Sequence, residues 1–246
     1  MPRLRMFAGP NGSGKSTLKS VLPRELLGVY INPDEIERKI RARGFLDLNA
    51  YGVRTEAEAV LGFFQNSSFL QKAGLSGAVA RLGFADGRLI FAGVEVNAYF
   101  ASVTADFLRQ KLLERTVTFT FETVMSSPDK VALLEKARSA GYRTYLYYIA
   151  TDDPQINISR VRNRVRLGGH PVPEDKIVSR YHRSLGLLME AIRHADRAYV
   201  FDNSGHLQEK VWLAEITSGK VLELKTDQVP AWFKRAVLDK IIPSLQ

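Results

Sequence analysis

The residues Gly9-Pro10-Asn11-Gly12-Ser13-Gly14-Lys15-Ser16 fit the pattern G-x-x-x-x-G-K-[ST]. Such a loop offers converging backbone N–H groups to phosphate oxygens, and a helix starting at its end adds a favourable dipole. In that chemistry Lys15 reaches the β- and γ-phosphates, and the Ser16 hydroxyl holds Mg²⁺. Gly9 through Thr17 are therefore the expected nucleotide-binding stretch. A glycine-rich turn that binds nothing is the bland alternative, and the Lys-Ser ending between a strand and a helix argues against it.

Three acidic positions can share the phosphate edge of such a fold, because ligands of open parallel sheets bind beyond the carboxyl ends of the strands. They are Asp34, Glu122 and the pair Asp152/Asp153. Phosphoryl transfer needs Mg²⁺, a positioned hydroxyl and cations around the transferring group. From position alone, Asp34 serves equally as the carboxylate that orients the acceptor hydroxyl and as a first-turn acid complementing a helix dipole. Glu122 suits an acceptor hydroxyl or a Mg²⁺-bound water, with a loop cap as its structural alternative. Asp152 and Asp153 precede Pro154 and read as a helix start. Arg160 and Arg164 lie four apart on one helix face, and Arg180 and Arg183 share a face of the next helix. An arginine-rich helical hairpin closing over phosphates would supply fixed positive charge and exclude water. A solvated basic face is the competing explanation.

The elements that must position these residues alternate. A strand at 4–8 leads into the glycine loop, and a helix is expected at Thr17–Leu22. A short strand at Val29–Ile31 is followed by Asn32-Pro33-Asp34-Glu35, an N-cap with proline in the first turn, and Gly44 stops that helix after Arg43. Residues 45–95 are irregular, contain an Asp86-Gly87 hairpin turn, and read as an insertion. An amphipathic helix at Ala98–Glu114, a strand at Thr116–Phe121, a helix at Pro128–Ala140, a strand at Thr144–Ala150, a helix at Pro154–Leu167, a helix at Glu174–His194 and a strand at Ala198–Phe201 follow. This order predicts an α/β fold, a three-layer P-loop NTPase with a mostly parallel central sheet. The domain reading is a kinase-like domain at 1–205, with an insertion at about 45–95, and a C-terminal hairpin and helix at 206–246.

The chain has 246 residues, 45% hydrophobic and 25% charged, with a formal charge of +9 and no cysteine. Disulfides, thiol catalysis and cysteine-ligated zinc are thereby excluded. No apolar run approaches membrane-spanning length. The expectation is a cytoplasmic protein with no membrane partner. The basic excess permits nucleic acid or an acidic small molecule as a partner.

Taken together, Gly-Pro-Asn-Gly-Ser-Gly-Lys-Ser-Thr (9–17), Ile-Asn-Pro-Asp-Glu-Ile (31–36), Phe-Glu-Thr-Val-Met-Ser (121–126), Gly-Gly-His-Pro-Val-Pro (168–173) and Arg180-Tyr181-His182-Arg183-Ser184 resemble the zeta toxin-like family of P-loop kinases, most closely its ATPase/kinase branch. The resemblance spans roughly residues 3–205. It implies an ATP- or GTP-dependent, Mg²⁺-requiring kinase of a small sugar nucleotide, the family toxins acting on the 3′-hydroxyl of UDP-N-acetylglucosamine. It implies Asp34 as the base, Lys15 and Ser16 on the nucleotide and Mg²⁺, Glu122 as a substrate-binding acid, and Arg160 and Arg164 as lid cations; Thr123 and Arg180 are expected beside Glu122 as further substrate-binding residues. It also brings in an antitoxin protein as a candidate partner. Val124 and Ser126 stand where the founding toxins carry the Thr and Arg of a Glu-Gly-Thr-Leu-Arg motif. The motif therefore leaves the acceptor open while keeping phosphoryl transfer.

Other readings compete. Leu75-Ser76-Gly77-Ala78 matches a transporter-ATPase signature only in part, and no strand ending in Asp-Glu follows it. GTPase switch and base-reading motifs are absent from their positions. A nucleic-acid-associated ATPase or polynucleotide kinase remains, as does a non-catalytic nucleotide-gated interaction module.

Overall fold

The computed structural model describes residues 1–205 and 210–241. Along the chain run β1 (Arg3–Ala8), a 3₁₀ turn at Lys15–Val21, β2 (Val29–Ile31), α1 (Pro33–Arg43) and β3 (Phe45–Asp47). Next come α2 (Ala57–Gln65), α3 (Ser68–Lys72), α4 (Ser76–Val79), β4 (Gly83–Ala85), β5 (Arg88–Ile90), α5 (Ala98–Glu114) and β6 (Phe119–Thr123). They are followed by α6 (Pro128–Ser139), β7 (Arg143–Ala150), α7 (Pro154–Arg166), α8 (Glu174–Gly186), α9 (Leu188–Arg193), β8 (Arg197–Asp202), β9 (Val211–Thr217) and β10 (Val221–Leu224). The start of the C-terminal appendage expected at residue 206 falls within 206–209, outside the described residues.

The chain forms two compact units, Met1–Leu27 with Glu122–Gln246, and Gly28–Phe121. In the first, β1 pairs in parallel with β7, from Arg3 opposite Arg143 to Ala8 opposite Tyr148. β7 pairs in parallel with β8, whose last residue, Asp202, faces Ala150. β9 and β10 extend this sheet antiparallel, with an irregularity at Val200/Phe201. Leu4, Met6, Phe7, Leu146, Tyr148 and Val200 are fully buried. Strands apolar on both sides are what a covered parallel sheet requires, and each such large side chain contributes about 1.5–3 kcal/mol of burial. The register brings three carboxyl ends to one edge: Gly9 after β1, Thr151 after β7 and Asn203 after β8.

The second unit holds β2 parallel to β6, with Ile31 opposite Phe121. Its helix α1 begins as the sequence indicates. The Asn32 side chain accepts from the N–H of Asp34 and of Glu35, Pro33 occupies the first turn, and Gly44 closes the helix at φ 74°. β3, β5 and β4 make a small sheet whose turn carries positive φ at Asp86 (51°) and Gly87 (73°). Phe64, Phe91, Phe100 and Phe107 are buried and build the unit's core.

Several boundaries differ from the sequence pattern for local reasons. The strand expected from Thr116 starts at Phe119, because Thr116 turns left-handed (φ 51°) and the N–H groups of Thr116 and Val117 close the end of α5 on Leu113 and Leu112. The single helix expected over Glu174–His194 divides at Leu187 into α8 and α9. The helix after the glycine loop starts at Lys15 and is of 3₁₀ type. The C-terminal helix has a π-type stretch at Lys234–Leu238 between Ala231–Phe233 and Asp239–Ile241. Among the described residues, no helix is long and apolar enough to cross a membrane.

Candidate phosphate-binding site

The glycine loop leaves β1 at Gly9, whose N–H donates to the Thr123 carbonyl at 3.3 Å. This contact places the end of β6, with Glu122 buried beside Thr123, next to the start of the loop. Thr123 uses its hydroxyl oxygen to accept the N–H of Met125 at 3.0 Å. The loop then packs closely against the neighbouring strand ends. A Cβ at Gly12 (φ 76°) would lie 2.6 Å from the Asn157 carbonyl oxygen, and one at Gly14 (φ 99°) 2.4 Å from the Asn203 side-chain nitrogen. Only glycine meets both the approach and the backbone angle.

Lys15 folds back over the loop, and its ammonium donates to the carbonyls of Gly9 at 2.8 Å and Pro10 at 2.9 Å. The N–H of Ser13 also donates to Pro10 (3.3 Å). The Asn157 amide nitrogen donates to the Asn11 carbonyl at 2.6 Å, and Thr151 bonds the other end of that side chain. The Asn203 amide nitrogen donates to the Ser13 carbonyl at 2.8 Å. The Thr17 hydroxyl caps the Gly14 carbonyl at 2.8 Å. With the carbonyls engaged, the backbone N–H groups of Asn11, Gly12 and Gly14 are taken by no partner among the described residues. The buried Ser13 hydroxyl is also without one. A loop of free N–H groups with an ammonium folded onto it and the Ser16 hydroxyl exposed at its end fits a nucleoside triphosphate with Mg²⁺.

The arginines sit on the same unit. α7 and α8 pack through Ile158, Val161 and Ile177. Arg162 reaches Glu174 at 2.8 Å between these two helices. Both partners of that pair are more than half exposed, so it adds about 0–1 kcal/mol. Arg160 donates to the Gly205 carbonyl at 3.1 Å, and its Nη1 is buried without a partner among the described residues. Burial pulls its guanidinium below the ordinary value, while the Asp202 carboxylate works in the opposite direction. Arg164 is exposed and donates to the His170 carbonyl at 3.3 Å, bracing the Gly168–Pro173 loop. Arg180 is half-buried on α8.

Asp34 lies in the other unit, exposed in the first turn of α1, with its N–H on the Asn32 side chain at 2.8 Å. Asp153 caps α7, accepting from the Gln155 N–H at 2.7 Å, as a helix start should. Sequence reasoning passed over Asn157, Asn203, Asp202 and Lys210. The run Asp202-Asn203-Ser204 at the carboxyl end of β8 carried the same strand-end signal that singled out Asp152. Lys210 donates to the Thr17 carbonyl at 3.2 Å, a contact across 193 residues that no local pattern reveals.

A mostly parallel α/β sheet with this loop at the carboxyl end of its first strand defines a P-loop protein. Residues 93–209 match the family model described as Zeta toxin. The matched residues include Glu122, Thr123, Arg160, Arg164 and Arg180, while the glycine loop and Asp34 precede them. An uncharacterized protein of Haemophilus influenzae is 29% identical over 177 residues, which make up 71% of this chain and 89% of that one. Among solved structures, a chain of the AvrRxo1-ORF1:AvrRxo1-ORF2 complex with sulphate ions shares the fold at a TM-score of 0.53 and 14% identity, over 92% of this chain. The chain spans 62% of that protein's length. The same complex solved with ATP gives a TM-score of 0.50 at 14% identity, over 98% of this chain and 63% of the other. A chain of the PezAT chromosomal toxin–antitoxin system of Streptococcus pneumoniae gives 0.50 at 16% identity, over all of this chain and 87% of the other.

Proposed function

We propose that this protein is a Mg²⁺-dependent phosphotransferase that moves the γ-phosphate of ATP or GTP to a hydroxyl of a small molecule. A UDP-amino sugar such as UDP-N-acetylglucosamine is the first acceptor class to test. The observation that carries the reading is the glycine loop with free N–H groups at Asn11, Gly12 and Gly14 and the Lys15 ammonium folded upon it. The zeta toxin match and the related complex solved with ATP support it.

In this reading Gly9 through Thr17 grip the triphosphate, and Lys15 follows the charge that develops on the β- and γ-phosphates. Ser16 is the residue that would hold Mg²⁺, which neutralises phosphate charge. Asp34 takes the proton of the acceptor hydroxyl, whose oxygen bonds to the γ-phosphorus while the nucleoside diphosphate leaves. Glu122, Thr123 and Arg180 bind the acceptor, and Arg160 and Arg164 stabilise the transferring group. The Asp34 assignment rests on its Asn-Pro-Asp-Glu motif. A partner protein belongs to the proposal too, because one structural neighbour comes from a toxin–antitoxin system.

Labelled ATP and GTP incubated with UDP-amino sugars, then with a metabolite extract read by mass spectrometry, test this. A phosphorylated product is the expected result. Nucleotide binding with no transfer to any acceptor would leave a nucleotide-gated module in its place.

A further inference from the structure

Each free N–H in the loop belongs to a peptide whose carbonyl is already held. The Asn11 N–H shares its peptide with the Pro10 carbonyl, which accepts from Lys15 at 2.9 Å. The Gly12 N–H shares its peptide with the Asn11 carbonyl, held by Asn157 at 2.6 Å. The Gly14 N–H shares its peptide with the Ser13 carbonyl, held by Asn203 at 2.8 Å. A trans peptide is planar, so its N–H and C=O point in opposite directions. Holding the carbonyl therefore turns the N–H away from the group that holds it. All peptide bonds described here are trans.

We propose that Asn157 and Asn203 are positioning residues for the phosphate loop. Each grips one carbonyl from outside and thereby aims the N–H of Gly12 or of Gly14 at the phosphate chain. The proposal rests on the reading of the loop as a triphosphate site. Both asparagines are themselves fixed. Asn157 is fully buried on the first turn of α7, with Thr151 bonded to its carbonyl oxygen. Asn203 follows β8, and its own N–H donates to the Ala150 carbonyl at 2.8 Å. The Asn203 clamp thus comes directly after β8 and the Asn157 clamp from the first turn of the helix that follows β7, the two strands next to β1 across the sheet. The glycines are the other half of the device, since a side chain at Gly12 would collide with the Asn157 backbone and one at Gly14 with the Asn203 amide.

The clamp also reaches the lid. Asn203 sits between Asp202, which faces Arg160 electrostatically, and Gly205, whose carbonyl accepts from Arg160. The segment that aims the loop is therefore the segment that anchors Arg160.

The test compares Asn157→Ala and Asn203→Ala with the parent chain by calorimetric titration of ATP, inorganic tripolyphosphate and adenosine. Each variant is expected to bind ATP and tripolyphosphate about tenfold more weakly, the scale of one buried hydrogen bond. Adenosine binding is expected to stay unchanged, which a general loss of structure would not allow. If the alanine variants fail to fold, Asn203→Asp carries the test. It keeps the side-chain shape, replaces the donor with an acceptor facing the Ser13 carbonyl, and is expected to weaken tripolyphosphate binding further still. Folded variants that bind tripolyphosphate as the parent does, or that lose adenosine in equal measure, overturn the clamp alone. A parent chain that binds neither ATP nor tripolyphosphate overturns the phosphotransfer reading, and the clamp with it.

Discussion

The indole N–H of Trp232 donates to the Asp202 carboxylate at 2.7 Å, fastening the C-terminal helical run to the end of β8. The backbone N–H of the same residue donates to Asp152 at 3.2 Å, just past the end of β7. Ser204 completes the knot, donating its hydroxyl to Asp202 at 2.8 Å and accepting the Asp152 N–H at 2.8 Å. One buried tryptophan thus joins the segment after β7, which leads into the helix carrying Asn157, to the end of β8, which leads into Asn203. Replacing Trp232 with Phe keeps most of the apolar volume but removes the indole donor. We expect a loss of about 1–2 kcal/mol, read as a lower urea midpoint at unchanged m-value.

Lys15→Ala removes the ammonium that holds the carbonyls of Gly9 and Pro10. Phosphoryl transfer in this variant should fall by about 10²–10³, the scale of one lost charge-stabilising donor. Rates measured with labelled ATP at saturating nucleotide check this, and near-parental turnover would remove Lys15 from the chemistry.

Asp34→Asn tests the proposed role of Asp34 as the base. Asp34 contributes its backbone N–H to the Asn32 cap, and an amide side chain leaves that bond in place. Turnover should drop by about 10²–10⁴ while ATP affinity holds. A stability loss of about 0.3–1 kcal/mol from the missing charge at the helix start accompanies it, and denaturant melts separate the two effects.

Alkaline pH should weaken the fold from a known direction. Burial pushes the Tyr181 phenol from its ordinary 10.0 up to about 12, with Asp152 adding to the shift. Burial likewise raises Tyr142 to about 12 and pushes Tyr147 and Tyr148 up as well. Between these values the unfolded chain releases protons that the folded chain retains, so stability falls as pH rises from about 10 toward 12. Below pH 10 the contribution is complete. Tyr181→Phe should make that decline shallower. It should also cost about 1 kcal/mol at neutral pH, since the hydroxyl donates to the Thr151 carbonyl at 2.6 Å. Urea midpoints taken from pH 8 to 12 report both.

Much of the molecule was legible because its signals are local. The glycine loop, the Asn32-Pro33 start of α1 with its Gly44 stop, and the Asp86-Gly87 turn each depend on a few consecutive residues. The helix over Ala98–Glu114 also appears at its expected boundaries. Misplaced boundaries arose where a neighbouring element's closing bonds consumed residues of suitable type, as at Thr116 and Val117.

The amino-acid order by itself determined that a phosphate loop would follow the first strand and that arginines would crowd one helical hairpin, because spacing along a chain sets both. Which groups hold that loop open was decided only in three dimensions. Asn157 and Asn203 lie 146 and 190 residues from the carbonyls they bind, and no short-range pattern distinguishes them from ordinary capping asparagines. Their reach depends on the parallel register of β1, β7 and β8, which aligns three strand ends at one edge. Hydrogen bonds act over about 3 Å, so only a packed sheet can bring such distant residues within range.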